Sequence, residues 1–380
     1  MAFTRSGVRL PLAPPSFASY GSAGRPNQGG FLLHARLLTN AVTALHDAKK
    51  PEEPMQGKIA LEEHFAIEPT LGDSHVFGSH VWKDLSHRLL DIQETRLREM
   101  DKHGIEMMIL SLNAPAIQAI HDVKKAVAVA RQANDALAGE VRKRSGRFTA
   151  FAAIPMQDPE AAAAELTRCV KDLGMVGALV NGFSQIGSTE NVTYYDLPQY
   201  RAFWRTVEAL DVPFYLHPRN PLPSWAKFYE GHDWLLGPNW AFAAETAVHA
   251  FRLIGSGLFD ECPNLKMVLG HIGEGIPVYL WRIDNRNGWM KAPHKYPAKH
   301  SVAHYFRKHF HLTTSGNFDT AALVNAISVM GVDRVMFSVD WPFEDVGEGA
   351  EWIDAADISE ADRVKVGRAN AIKLFKLPLG

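Results

Sequence analysis

Cysteine is nearly absent. Cys169 and Cys262 are the only two in 380 residues, too few for the stapled framework of a small secreted domain, which favours a reduced, cytoplasmic protein. No apolar run approaches the roughly 20 residues that a membrane-spanning helix needs. Neither sign of charge dominates, with 40 Lys and Arg against 42 Asp and Glu. Nothing in the charge balance therefore points to nucleic acid or a membrane surface as a partner. The glycine-rich fingerprint of dinucleotide-binding folds does not follow the first strand-like segment. What remains is the composition of a globular protein, 46% hydrophobic and 22% charged, in a chain long enough to bury a large core.

Acidic residues are missing from the start of the chain until Asp47, while Arg5, Arg9, Arg25 and Arg36 are scattered through Pro, Gly and Ser. Such a segment is composed like disordered chain and, loosely, like an organelle transit peptide. Strand-like pattern begins immediately after Met55, which favours a third reading. Residues 1–54 are then a disordered or non-native extension, and 55–380 form the folded unit.

Eight apolar, β-branched-rich runs follow: "KIALEE", "IEMMILSL", "FTAFAAIP", "MVGALVNG", "VPFYLHP", "LKMVLGH", "FHLTTSG" and "RVMFSVDWP". Helical periodicity occupies 89–103, 123–144, 159–173, 197–210, 241–255, 320–330 and 360–375. Near-continuous apolar strands alternating with helices imply a parallel sheet covered on both faces. Eight units predict an α/β fold, a (β/α)8 TIM barrel. Two long loops are expected, from Pro218 to Trp240 after the fifth strand and from Gly275 to His300 after the sixth.

A barrel of this kind carries its active site at the C-terminal ends of its strands. Those ends supply Glu62 and His64, Asn181, His217, His271 with Glu274, and Asp340. Glu62 and His64, two apart in an extended chain, share one face, and Glu63 takes the other. Any one of these residues alone reads as a strand running out into a polar loop. Together they predict a metal site. Imidazoles and carboxylates suit one divalent ion, Mn2+ or Zn2+. Barrels that hold two metals often bridge them with a lysine from the fourth strand, and "MVGALVNG" has none.

The strand ends resemble the amidohydrolase superfamily, whose first strand carries His-x-His and whose later strands carry His, His and Asp. Glu62 replaces the first histidine, which resembles the decarboxylase branch. "ALEEHFAI", "LSLNAPAIQAI", "YLHPRNPLP", "LGHIGEG", "TTSGNF" and "FSVDWPFE" carry the likeness from Met55 to Leu377. It implies a metal held by Glu62, His64, His217 and Asp340, with the His271–Glu274 pair behind them. It also implies that Arg282 reaches a neighbouring subunit's substrate and that Phe343 walls the pocket. The expected reaction is reversible, non-oxidative decarboxylation of ortho-hydroxybenzoates, 2,6-dihydroxybenzoate foremost.

Direct loss of CO2 would leave an aryl anion, so the ring carbon has to be protonated first. Asp340 is the expected acid, and His271 with Glu274 would polarise the phenol. Asn181 or the His271–Glu274 pair is placed to meet a second ortho hydroxyl. The aromatics of the long loop, Trp225, Tyr229, Trp234 and Trp240, would exclude water. Arg282 sets the expected assembly at a dimer or more, a homotetramer. The competing readings are a hydrolase or hydratase of the same superfamily, with Asp340 acting as base on water, and a non-catalytic binding scaffold.

Overall fold

The computed structural model describes residues 53–77, 79–290 and 296–379. The expectation for residues 1–54 falls, but for its last two positions, outside them. Eight parallel strands form one sheet in sequential order. They are β1 (Lys58–Phe65), β2 (Ile105–Leu112), β3 (Phe148–Ala153), β4 (Gly177–Asn181), β5 (Phe214–His217), β6 (Met267–Leu269), β7 (Phe310–Thr313) and β8 (Val335–Met336). All but β1 lie within a run expected from the sequence, and β1 continues two residues past "KIALEE", to Phe65. Helices separate them, so the sheet curls into a nearly closed (β/α)8 barrel.

Alternation along the strands builds two apolar layers. Ile59, Leu61, Ile109, Phe151, Tyr215 and Val268 belong to the barrel interior, which Leu374, Phe375 and Leu377 of the C-terminal segment close from below. Ala60, Met108, Leu110 and Phe214 belong to the layer between strands and helices. The helix Val123–Lys143 shows why these segments are helical: Asp122 caps its first turn through Lys125 N, and Ala126, Ala130, Ala133 and Leu137 bury one face. Those positions recur every three to four residues, the helical period.

In β1 the register against β2 slips between Ala60 and Glu63. An extra residue in one strand reverses the phase of alternation. Ile59 and Leu61 fill the interior below the slip, and Glu62 and His64 turn toward the barrel axis above it. The metal-ligand types therefore follow directly on core residues.

Strands β1 and β8 meet without a backbone ladder of the kind joining the others. Side chains close this seam. Ser338 Oγ accepts from Leu61 N at 3.2 Å and Glu62 N at 2.7 Å. The Glu63 carboxylate accepts from Ser338 Oγ, Val339 N and Trp341 N at 3.1, 2.9 and 3.1 Å. One backbone bond, His64 N to Trp341 O at 2.6 Å, completes it.

The connections depart from expectation in two places. The segment expected as a helix over 89–103 is two helices, Ser79–Leu90 and Thr95–Lys102. The connection after β5 is irregular, with short 3-10 turns, as expected. The connection after β6 instead begins with the helix Ile276–Trp289. Its apolar stripe is short, with Ile276 and Leu280 buried, and the mixture of Trp, Arg, Asn and Gly around it concealed the period.

Candidate metal centre

Glu62 leaves the top of β1 with its two oxygens in different surroundings. Oε2 accepts from the hydroxyls of Tyr215 and Ser315, with Thr313 Oγ1 at 3.5 Å. Oε1 is buried and makes no hydrogen bond, yet His217 Nε2 lies 3.1 Å away and His271 Nε2 3.8 Å. Burial would raise this carboxyl, but His271, His217 and His64 hold it well below the usual range. Gly270 allows the approach, since a Cβ there would come within 2.6 Å of Glu62 Oε2.

His64 is fully buried. Its Nδ1 lies 3.1 Å from Ser111 Oγ, and a proton on Nδ1 donated to that hydroxyl leaves the Nε2 lone pair bare. Nε2 lies 3.2 Å from Asp340 Oδ1, and neither atom makes a hydrogen bond. The buried guanidinium of Arg96 holds the His64 carbonyl from behind. His217, at the end of β5, packs edge-on against the His64 ring with centroids 4.7 Å apart, and burial lowers its pKa.

One ligand atom from each of Glu62, His64, His217 and Asp340 lies within 4.8 Å of the others. Ligands at about 2.2 Å from one ion would lie no more than about 4.4 Å from one another, so the cluster would have to tighten around it. Bare buried polar atoms converging from two carboxylates and two imidazoles fit a divalent cation, whose charge the carboxylates balance.

His271 stands beside this cluster. Its Nδ1 donates to Glu274 Oε1 at 2.7 Å, and its Nε2 is 3.7 Å from Asp340 Oδ2. Burial works against its charge, but Glu274, Glu62 and Asp340 raise its pKa well above the ordinary value. The segment is bent to present it: His271, Ile272 and Glu274 have φ of 51, 57 and 56°. Left-handed backbone in non-glycine residues is costly and concentrates at functional sites.

A cavity of about 350 Å³ opens over the cluster, lined by His217, His271, Asp340 and Phe343 among others. That exceeds the roughly 150 Å³ that holds a benzene ring. Phe343 forms a wall, its ring 5.6 Å from that of His64. Leu85, Phe242 and Glu344 also line the space and had no signal in the sequence, since helices remote along the chain bring two of them. Burial, with Asp340 and Glu348 nearby, pushes Glu344 up to about 7.

Two expected residues join neither the four-residue cluster, nor the His271–Glu274 pair, nor the cavity lining. Asn181 pairs in register with His217, but its Nδ2 donates to Asn113 O at 3.0 Å and Pro115 O at 3.4 Å. Arg282 is exposed on the helix Ile276–Trp289. Of the loop aromatics, Trp225, Trp234 and Trp240 are exposed and Tyr229 is buried. That connection reaches the cavity through Pro218 and Pro238 instead.

Comparison with known proteins gives one consistent picture. The amidohydrolase family model matches residues 64–377. A gamma-resorcylate decarboxylase of Rhizobium sp. (strain MTP-10005) is 64% identical over 324 residues, 85% of this chain and 99% of that protein. A crystal structure of a 2,6-dihydroxybenzoate decarboxylase complexed with 2,6-dihydroxybenzoate superposes with a TM-score of 0.83 at 64% identity, covering 85% of this chain and all of that one (100%). A dihydroxybenzoic acid decarboxylase from Polaromonas sp. JS666, solved with bound manganese and the inhibitor 2-nitroresorcinol, gives 0.84 at 61% identity, over 86% and 98% of the two chains.

Proposed function

The chain belongs to the amidohydrolase family, and from that premise we propose that it is a metal-dependent decarboxylase converting 2,6-dihydroxybenzoate to resorcinol and CO2, reversibly. The observation that carries this reading is the four-residue cluster beneath an aromatic-sized cavity with Asp340 and His271 on its wall and Glu274 bonded behind His271. The resemblance to proteins that act on or bind this acid supplies the substrate class.

Glu62, His64, His217 and Asp340 would hold the ion. Manganese is favoured over zinc because it is the metal bound in a solved relative. When bound, the ion supplies a positive charge that gathers the substrate's carboxylate and ortho phenolate together.

The remaining work belongs to side chains. His271, oriented by Glu274, polarises the phenol. Asp340, carrying a proton that substrate binding delivers, passes it to the ring carbon bearing the carboxylate. The C–C bond then breaks, CO2 leaves, and the electron pair returns to the ring to restore aromaticity. Phe343 holds the ring face, and the apolar walls exclude water.

The test is a panel of acids with Mn2+-loaded protein. 2,6-Dihydroxybenzoate should yield equimolar resorcinol and CO2, 4-hydroxybenzoate should not react, and chelation should abolish turnover. Absence of CO2 from every ortho-hydroxylated acid sinks the reading.

We extend the proposal to assembly, a dimer at least and a homotetramer in full. Val278, Tyr279, Trp281 and Trp289 are exposed along the helix that carries Arg282, and such a surface favours association. Mixed oligomers of Asp340→Asn and Arg282→Ala subunits should regain activity if Arg282 serves a neighbour's site. No recovery in confirmed mixed oligomers would place it elsewhere. Residues 1–54 are proposed to be dispensable, and a chain beginning at Met55 should keep both activity and melting temperature.

A further inference from the structure

Asp340 has φ of +82°, a left-handed conformation that an aspartate adopts at a cost of about 1–3 kcal/mol. Such a residue persists only where its surroundings over-determine it. The peptide N–H groups on either side of it, Val339 N and Trp341 N, are both held by one side chain. Glu63 Oε1 accepts from Val339 N at 2.9 Å, and Glu63 Oε2 accepts from Trp341 N at 3.1 Å. A carboxylate with two acceptor oxygens spans the pair as no amide or hydroxyl can.

Glu63 is fully buried on the strand face opposite Glu62 and His64, and its remaining bond is to Ser338 Oγ at 3.1 Å. The buried cation Arg96 lies nearby and secures the His64 carbonyl. Neither Glu63 nor Arg96 lines the cavity over the metal ligands. The barrel seam is thus closed by one buried carboxyl side chain at the place where Glu62 and His64 of β1 are set against Asp340 beyond β8.

We infer that Glu63 is a positioning residue: its carboxyl group clamps the N–H groups of the residues before and after Asp340, Val339 and Trp341, and so aims the Asp340 carboxyl at Glu62, His64 and His217. The role in proton delivery rests on the function proposed above, whereas the effect on the ligand cluster does not.

The test uses the full chain and Mn2+ alone as the first probe, followed by kinetics with 2,6-dihydroxybenzoate. Glu63→Gln keeps the shape but turns an NH2 toward one of the two N–H donors. Mn2+ affinity should weaken by about 10- to 100-fold, the usual cost of losing a group that orients a ligand. kcat should fall by a similar factor, with KM changing much less. Glu63→Asp, charged but one methylene short, should show the same pattern and serves if the glutamine variant does not fold.

Action through Asp340 demands non-additivity. In an Asp340→Asn background, Glu63→Gln should weaken Mn2+ binding less than about threefold. Lys58→Met, a destabilising change on the same strand, should leave Mn2+ affinity unaltered. The inference is overturned if Glu63→Gln matches wild type within twofold in both affinity and kcat. It is equally overturned if its full effect survives beside Asp340→Asn, or if Lys58→Met reproduces it. Should the wild type release no CO2 from any acid, the proposed function falls, while the Mn2+ affinities still decide the place of Glu63.

Discussion

Lys58 and His64 stand at opposite ends of β1, both fully buried, and the protein treats their polar atoms differently. Lys58 Nζ meets Met55 O at 2.6 Å, His103 O at 3.2 Å and Asp354 Oδ2 at 2.9 Å, using all three of its donors. At the other end, His64 Nε2, Glu62 Oε1 and Asp340 Oδ1 are left bare. Buried polar atoms without partners are costly, so the upper end gives up stability for a geometry that something else must complete. The lower end completes itself. One strand thus serves anchorage at its start and chemistry at its finish.

The sharpest way to break this division is at the upper end. Asp340→Asn should cost about 10²- to 10⁴-fold in kcat, the range for loss of a positioned acid. Unfolding free energy should change by less than about 1 kcal/mol, because the position is already poorly satisfied. CO2 release with metal content confirmed, alongside a denaturation curve, measures both. Near wild-type turnover would remove Asp340 from the role of acid.

Lys58→Met is the counterpart below. It leaves Asp354 without its buried cation and frees two carbonyls, so stability should fall by about 3 kcal/mol. Turnover at a temperature where the variant stays folded should be that of wild type. Loss of kcat without loss of stability would show that the two ends are not separable.

The division also explains what the sequence makes legible. Strands are readable because a doubly covered parallel sheet writes continuous apolar runs, and the four clustered residues are readable because each follows such a run directly. Glu62 and His64 share a face locally, but only the register slip between Ala60 and Glu63 turns that face inward after Ile59 and Leu61. A slip has no residue signature in "KIALEEHF". Tyr215 reads as a core aromatic, and only the folded barrel shows its hydroxyl on Glu62. Glu63 reads as the outward partner of an alternating pair, and its bonds lie some 275 to 278 positions along the chain. Leu85 and Phe242 reach the cavity from helices, by packing that no local pattern encodes. Arg282 and Asn181 were carried by position, and neither lines the cavity of its own chain.

Bare nitrogens are not confined to the upper end, and this permits a finer test. His311 Nδ1 is also buried without a partner, but its neighbours are cations rather than carboxylates. Arg334 Nη1 donates to His311 Nε2 at 2.8 Å, so a proton there would set two cations side by side. Burial first, then Arg334, Lys266 and Lys373, push the ring down to about 3. An unfolded histidine titrates near 6.5. Between those values the unfolded chain holds a proton that the folded one refuses, so stability present above pH 6.5 is lost as the pH falls. His311→Gln keeps an acceptor for Arg334 and does not titrate. Urea denaturation between pH 7 and 4.5 should then fall less steeply than in wild type, by up to about 1.4 kcal/mol per pH unit. Acid release of the metal acts on both proteins alike and cancels in the difference. Parallel curves would mean that His311 takes its proton in the folded state, and that the lower end, too, holds a nitrogen open to a cation.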